Sequence, residues 1–294
     1  MLTATIGLVG ALVYGAADFL GGLASQRISP VRVTALSAAS GLVGLLLVLL
    51  LGFGEWSADA VFWGALSGVS GALAISLLYA CLAIGPMSIL SPLTAVISAI
   101  VPMTWGLATG DELAPTGYLA LGLALVAVVL VGFVPEKGAV RPSLTGILMA
   151  IGAGTMIGTF LILIDQTPED SGIVPLILNR SVNAAIMFTV VLVLWLIARR
   201  SRGELTPGHG NTVAGSWRPG LVLALACGVV DAAANVLLLV GIRIGDLTVM
   251  SVLTAMYPAG TILLAAVVLK ERIAPVQWVG LALALIAAAL LALA

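Results

Sequence analysis

Three ionisable side chains sit deep inside otherwise apolar stretches: Asp18 in VYGAADFLGG, Arg180 in LILNRSVNAA and Asp231 in CGVVDAAANV. A charge in hydrocarbon costs roughly 2.5–3.5 kcal/mol on insertion scales, so such groups face a wet cavity or a partner. A desolvated carboxyl disfavours its charged form, which lets it exchange a proton near neutral pH or hold a cation. Tyr14 precedes Asp18 by four residues, the spacing that stacks two side chains on one helical face, where its hydroxyl can hold the carboxylate or a bound molecule. Asp231 and Asn235 share a face in the same way, and Asn179 and Asn183 do so beside Arg180. Tyr79, Trp105 and Tyr257 are candidate aromatic walls. Structural roles compete with these: Asp231 can neutralise Arg180 across a packed interface, the asparagines can tie neighbouring helices together, and the aromatics can simply pack.

The elements that position these residues follow from hydropathy. Of 294 residues, 61% are hydrophobic and 9% charged, too few polar groups to cover a water-soluble globule. Apolar runs of the length that crosses a ~30 Å hydrocarbon core fill nearly the whole chain. They predict ten membrane spans, at about 4–25, 31–52, 60–84, 87–108, 114–134, 143–164, 172–198, 219–242, 247–269 and 274–293. The connections are rich in Gly, Pro and charge, as in TGDELAP and DQTPEDSG, and none is long enough for a separate domain. The first run has no Lys or Arg before it and is expected to remain as a helix. Both cysteines, Cys81 and Cys227, fall inside spans, and the single histidine, His209, lies in the longest loop. That leaves no metal framework, and no cofactor or nucleic-acid partner is expected. Pro86, Pro92, Pro102, Pro175 and Pro258 are candidate kinks.

Ten of the 12 Lys and Arg residues fall in the odd-numbered loops, whereas the other side holds Arg243 and the acidic Glu55, Asp59, Asp111, Glu112, Asp165, Glu169, Asp170 and Asp246. The positive-inside rule then puts the odd-numbered loops in the cytoplasm and both termini outside. Shifting the sequence by 160 residues lays DELAPTGYLALGLALVAVVL (111–130) over ERIAPVQWVGLALALIAAAL (271–290), within 15 ungapped identities across 81–134. The chain therefore reads as two homologous five-span halves, 1–142 and 143–294. An odd number of spans per half turns the second copy upside down. Loop four-five reads GDEL where loop nine-ten reads KERI, so matching sequences carry opposite charge on opposite sides.

On these features the sequence resembles the drug/metabolite transporter superfamily, specifically its ten-helix EamA-type members. The resemblance rests on the repeat, the glycine-rich GALVYGAADFLGG, the shared IGxxxxxSxLTA elements and the acidic-x-x-AP motif before spans five and ten. AADFLGG is also similar to the segment around the membrane carboxylate of small multidrug resistance proteins. The resemblance implies an all-α membrane fold of two inverted five-helix repeats, with spans one to four and six to nine around a central cavity and five and ten peripheral. Most members of the family have cytoplasmic termini, opposite to the charge bias here. The expected function is secondary transport, as export of small polar or amphipathic metabolites, with proton coupling through Asp18 as one arrangement. No ATP-binding glycine loop is present. The alternatives are an uncoupled facilitative carrier, a lipid scramblase or channel, and a membrane-embedded aspartyl enzyme using Asp18 and Asp231, which lacks the YD and GxGD signatures. The expected partners are a small-molecule substrate, H⁺ and the lipid bilayer, in a monomer or homodimer of the plasma or inner membrane.

Overall fold

A computed structural model describes residues 2–50, 52, 54–84, 87–132, 143–201, 218–270 and 273–293. The helices are α1 (Leu2–Ser25), α2 (Pro30–Leu49), α3 (Ala58–Ile84), α4 (Met87–Thr109), α5 (Pro115–Gly132), α6 (Leu144–Asp165), α7 (Val174–Ser201), α8 (Arg218–Ile244), α9 (Leu247–Thr254), α10 (Tyr257–Val268) and α11 (Pro275–Leu293), with a 3₁₀ turn at Glu169–Ser171. No strand occurs among the described residues. Seven helical stretches are long and apolar enough to cross a membrane, α9 and α10 counting together, and three shorter apolar helices run over Leu93–Thr109, Pro115–Val131 and Pro275–Leu291. Of the earlier expectations, the boundary at 142, His209, Lys137 and Arg141 lie outside the described residues.

The expected ninth span is broken. Pro258 has no amide to donate, and the preceding turn tightens so that Met256 N bonds Leu253 O at 3.1 Å, three residues back, before α10 starts at Tyr257. Ser143 caps α6 by accepting from Gly146 N at 3.1 Å. For α9 the N-cap residue Asp246 makes no such bond. Asp111 does it from the α4–α5 connection, accepting from Thr248 N at 3.0 Å. Asp111→Ala is expected to lower unfolding stability by about 1 kcal/mol, the usual effect of losing a cap, as read from thermal unfolding in detergent.

Packing partners close the helices other than α5 and α11 into a ring, α9 and α10 together filling one place. α2 packs on α8, α8 on α1, α1 on α9 and α10, α9 on α4, α4 on α6, α6 on α3, α3 on α7, and α7 back on α2. α5 and α11 pair with each other outside the ring, against α1, α4, α9 and α10. Small residues set the register. Between α1 and α8, Thr3 meets Gly245 just past the end of α8, Gly10 meets Leu237 and Gly21 meets Cys227, an antiparallel pair. In α3 and α7, Gly64 meets Pro175 and Gly68 meets Asn179, a parallel pair. The C-terminal end of α4 meets the N-terminal end of α9, where Thr248 Oγ1 donates to Met103 O at 3.2 Å. Likewise the end of α5 meets the start of α11, where Gln277 Nε2 donates to Val131 O at 3.1 Å.

Gly15 marks the tightest approach to the broken span. A Cβ there would stand 2.5 Å from Tyr257 O and 2.6 Å from the Gly260 Cα, both backbone atoms that cannot rotate away. Thr261 Oγ1 donates to Gly15 O at 3.1 Å, completing the seam. Gly15→Val is expected to cost about 1–3 kcal/mol through overpacking, visible as a lowered melting temperature, whereas Gly22→Val, with open space around it, leaves the melting temperature unchanged.

On the side that holds the start of α1 and the end of α8, an apolar cluster from five elements fills the ring: Leu45, Leu161, Ile164, Leu176, Leu238 and Met250 with their neighbours. The connections above it are tied together. Arg243 Nη2 donates to Pro168 O at 3.1 Å and to Ser171 Oγ at 2.9 Å, and Glu55 N donates to Asp170 O at 3.1 Å. Asp246, beside this plug, has its carboxyl held above the ordinary carboxylate range, first by burial and then by the nearby Asp111 charge.

Candidate functional site

At about 100° per helical residue, Asp18 falls in the arc of α1 that its ring neighbours touch, between Gly7 and Gly15. Thr3, Gly10 and Gly21 face α8, while Gly7 and Gly15 face α9 and α10. The exposed Leu2, Val9 and Leu12 lie on the opposite side of the helix. Asp18 is nonetheless exposed, and so is Gly22 one turn on, where a Cβ would meet no atom within 4 Å. α1 therefore has two accessible faces, one apolar and turned outwards, one bearing Asp18 and turned into the ring.

The same count on α8 places Asp231 between the side facing α1 (Cys227, Leu237) and the side facing α2 (Ala224, Gly228), with the buried Asn235 on the latter. The exposed Val222, Val229 and Val240 lie opposite. Because α1 and α8 are antiparallel in the register given above, Asp18 stands level with Asp231, and the two charges interact.

Arg180 reaches Asp231 from α7. Its Nη2 donates to Asp231 Oδ2 in a hydrogen-bonded ion pair. The side chains are 12% and 23% exposed, so the pair is largely shielded from water. It links α7 to α8 across the inner face of α2, the helix on which both pack. Asn235 Nδ2 donates to Asp231 O at 2.7 Å and approaches Asp231 Oδ2 at 3.4 Å, which braces the carboxylate. Asp18 has no hydrogen bond or ion pair among the described residues. Tyr14, in the turn before it, interacts electrostatically with Asp231, Arg180 and Asp18, and Tyr257 at the start of α10 interacts with Asp18. The structure thus brings Asp18, Tyr14, Asp231, Asn235, Arg180 and Tyr257 to one part of the ring, on the far side of the apolar plug from the α1 N-terminus.

Other candidates stand elsewhere. Asn179 is buried in the α3–α7 contact, where its Nδ2 donates to Ser67 Oγ at 2.9 Å. Asn183, also buried, lies against Gly71 of α3, and its Oδ1 has no partner among the described residues. Trp105 is 44% exposed, one turn before the end of α4. Tyr79 lies in α3, but its side chain is outside the described residues. Sequence reasoning passed over Ser67, whose role depends on a register between α3 and α7 that no local pattern encodes. It also passed over Gly22, whose openness is visible only once the neighbours are placed.

Among the described residues no group of three His, Cys, Asp or Glu side chains is arranged to hold a metal ion. What the arrangement can do is electrostatic. It offers one accessible carboxylate in a low-dielectric interior, next to a second carboxylate that an arginine already neutralises.

The model of the EamA-like transporter family matches residues 144–293. No curated protein matches the sequence. A solved structure described only as "Crystal structure of protein" is similar over 99% of this chain and 98% of its own, with a TM-score of 0.71 and 17% identity, a likeness of fold.

Proposed function

The chain belongs to the EamA-like transporter family, and from that membership we propose that it is a secondary transporter exporting small polar or amphipathic metabolites, amino acids or cationic compounds, with Asp18 exchanging a proton for cargo. As a multi-pass membrane transporter of small molecules it needs a site that both cargo and a driving ion can occupy. The observation that carries the proposal is the accessible Asp18 carboxyl turned into the ring, without an ion-pair partner among the described residues, beside the neutralised Asp231. When ionised, it holds a cationic group. When protonated, it cannot, so proton and cargo compete for one carboxylate and exchange follows. Tyr14, Asn235 and Tyr257 stand in the same part of the ring, and Asn179, Asn183, Tyr79 and Trp105 complete the proposed set of residues.

Alternating access between two inverted repeats, 1–142 and 143–294, supplies the movement. Exchanging the halves maps the α1–α8 contact onto α6–α3, α2–α8 onto α7–α3 and α1–α10 onto α6–α4, which supports a twofold relation. The end-to-start meetings of α4 with α9 and of α5 with α11 support an antiparallel one. The charge bias supports cytoplasmic odd-numbered loops in the inner membrane.

The test is a thermal-shift screen of the purified protein against metabolite pools, followed by vesicle flux of each hit. The expected result is saturable uptake that an imposed pH gradient accelerates. Saturable flux indifferent to that gradient would replace proton exchange with an uncoupled carrier.

A further inference from the structure

Asp231 lies level with Asp18 on the adjacent helix, faces the same interior and takes the guanidinium of Arg180. Tyr14 interacts with all three charges, so the arginine and both carboxylates share one electrostatic neighbourhood. Without Asp231, Asp18 is the carboxylate left level with the end of the Arg180 side chain, and leaving that cation unpaired is strongly unfavourable. The arginine stem is flexible and carries five donors. We propose that Asp231 is a positioning residue that sequesters Arg180, so that Asp18 stays without a counter-ion and open to proton and cargo. Asn235 serves the same end, since its bonds to the Asp231 backbone carbonyl and carboxylate fix the acceptor that Arg180 uses. The inference rests on the proposed role of Asp18, and two carboxylates with opposite duties are its content: one binds, the other occupies the built-in cation.

The test labels the full-length protein in vesicles with dicyclohexylcarbodiimide at neutral pH, which adds to a protonated carboxyl to leave an N-acylurea, and reads each site by peptide mass spectrometry. Wild type is expected to be labelled at Asp18 and not at Asp231. In Asp231→Asn, labelling of Asp18 is expected to fall at least about tenfold, since a cation brought next to a carboxyl favours its charged form by that much or more. In the double variant Arg180→Gln/Asp231→Asn it is expected to return to the wild-type level. Labelling of Asp18 that is unchanged in Asp231→Asn overturns the proposal, as does a double variant that stays protected. Loss of folded protein in both variants assigns Asp231 to stability and also overturns it. Absence of label at Asp18 in wild type, or pH-driven flux that survives Asp18→Asn, contradicts instead the proposed role of Asp18 itself.

Discussion

Asp18→Asn is expected to reduce pH-gradient-driven flux in vesicles to the level of protein-free controls while leaving the melting temperature within about 1 °C of wild type. The amide keeps the size and hydrogen-bonding capacity of the carboxyl and loses only its proton exchange and its charge. Stability is spared because Asp18 makes no ion pair or hydrogen bond among the described residues, so the amide forfeits no partner. The two readouts therefore separate: a large loss of coupling with no loss of folding. Asp18→Glu keeps the chemistry with one more methylene and is expected to retain partial coupling.

Removal of Arg180 has the opposite profile. Arg180→Met leaves the Asp231 carboxylate without its cation, level with the Asp18 charge, and breaking a buried pair from one side costs about 3–5 kcal/mol. Some of this is relieved where Asp231 takes up a proton, so a loss of about 3 kcal/mol is expected, measured as a fall in the midpoint of denaturant-induced unfolding. The double variant Arg180→Met/Asp231→Leu removes both charges and is expected to recover most of that loss, because apolar replacements of similar volume are often neutral for a buried pair. Equal destabilisation in the single and double variants would mean that packing of the Arg180 stem, rather than its charge, holds α7 in place.

The residues that define the site were legible because charge is rare in this sequence, and so Asp18, Arg180 and Asp231 stand out against apolar runs. The i,i+4 partners of the two aspartates were legible too, since helical spacing alone brings Tyr14 to Asp18 and Asn235 to Asp231. What spacing cannot carry is register between helices. That Asp18 stands level with Asp231 depends on Thr3, Gly10 and Gly21 of α1 meeting Gly245 just beyond α8 and Leu237 and Cys227 within it, partners that no sequence pattern names. Asn179 looked like Asn235 in sequence, yet it bonds Ser67 between helices while Asn235 braces a carboxylate facing the interior. The break before Pro258 was legible as a candidate kink, but its effect, a Tyr257 carbonyl pressed against Gly15 one turn from Asp18, required the packing. Order around the ring was likewise hidden, because apolar helix surfaces are chemically alike and choose neighbours by shape.

The orientation of Asp18 towards water inside the ring, rather than towards lipid, can be measured without knowing the cargo. In a background with Cys81 and Cys227 replaced by serine, single cysteines at Asp18 and at Leu12 are exposed in sealed, oriented vesicles to a membrane-impermeant, positively charged methanethiosulfonate. The expected result is rapid modification of Asp18→Cys from one side of the membrane only and none of Leu12→Cys, which a lipid-soluble maleimide alone reaches. Equal inertness of both positions to the charged reagent, or modification of Leu12→Cys in place of Asp18→Cys, would turn the carboxylate outwards and contradict the wet interior on which its exchange of protons depends.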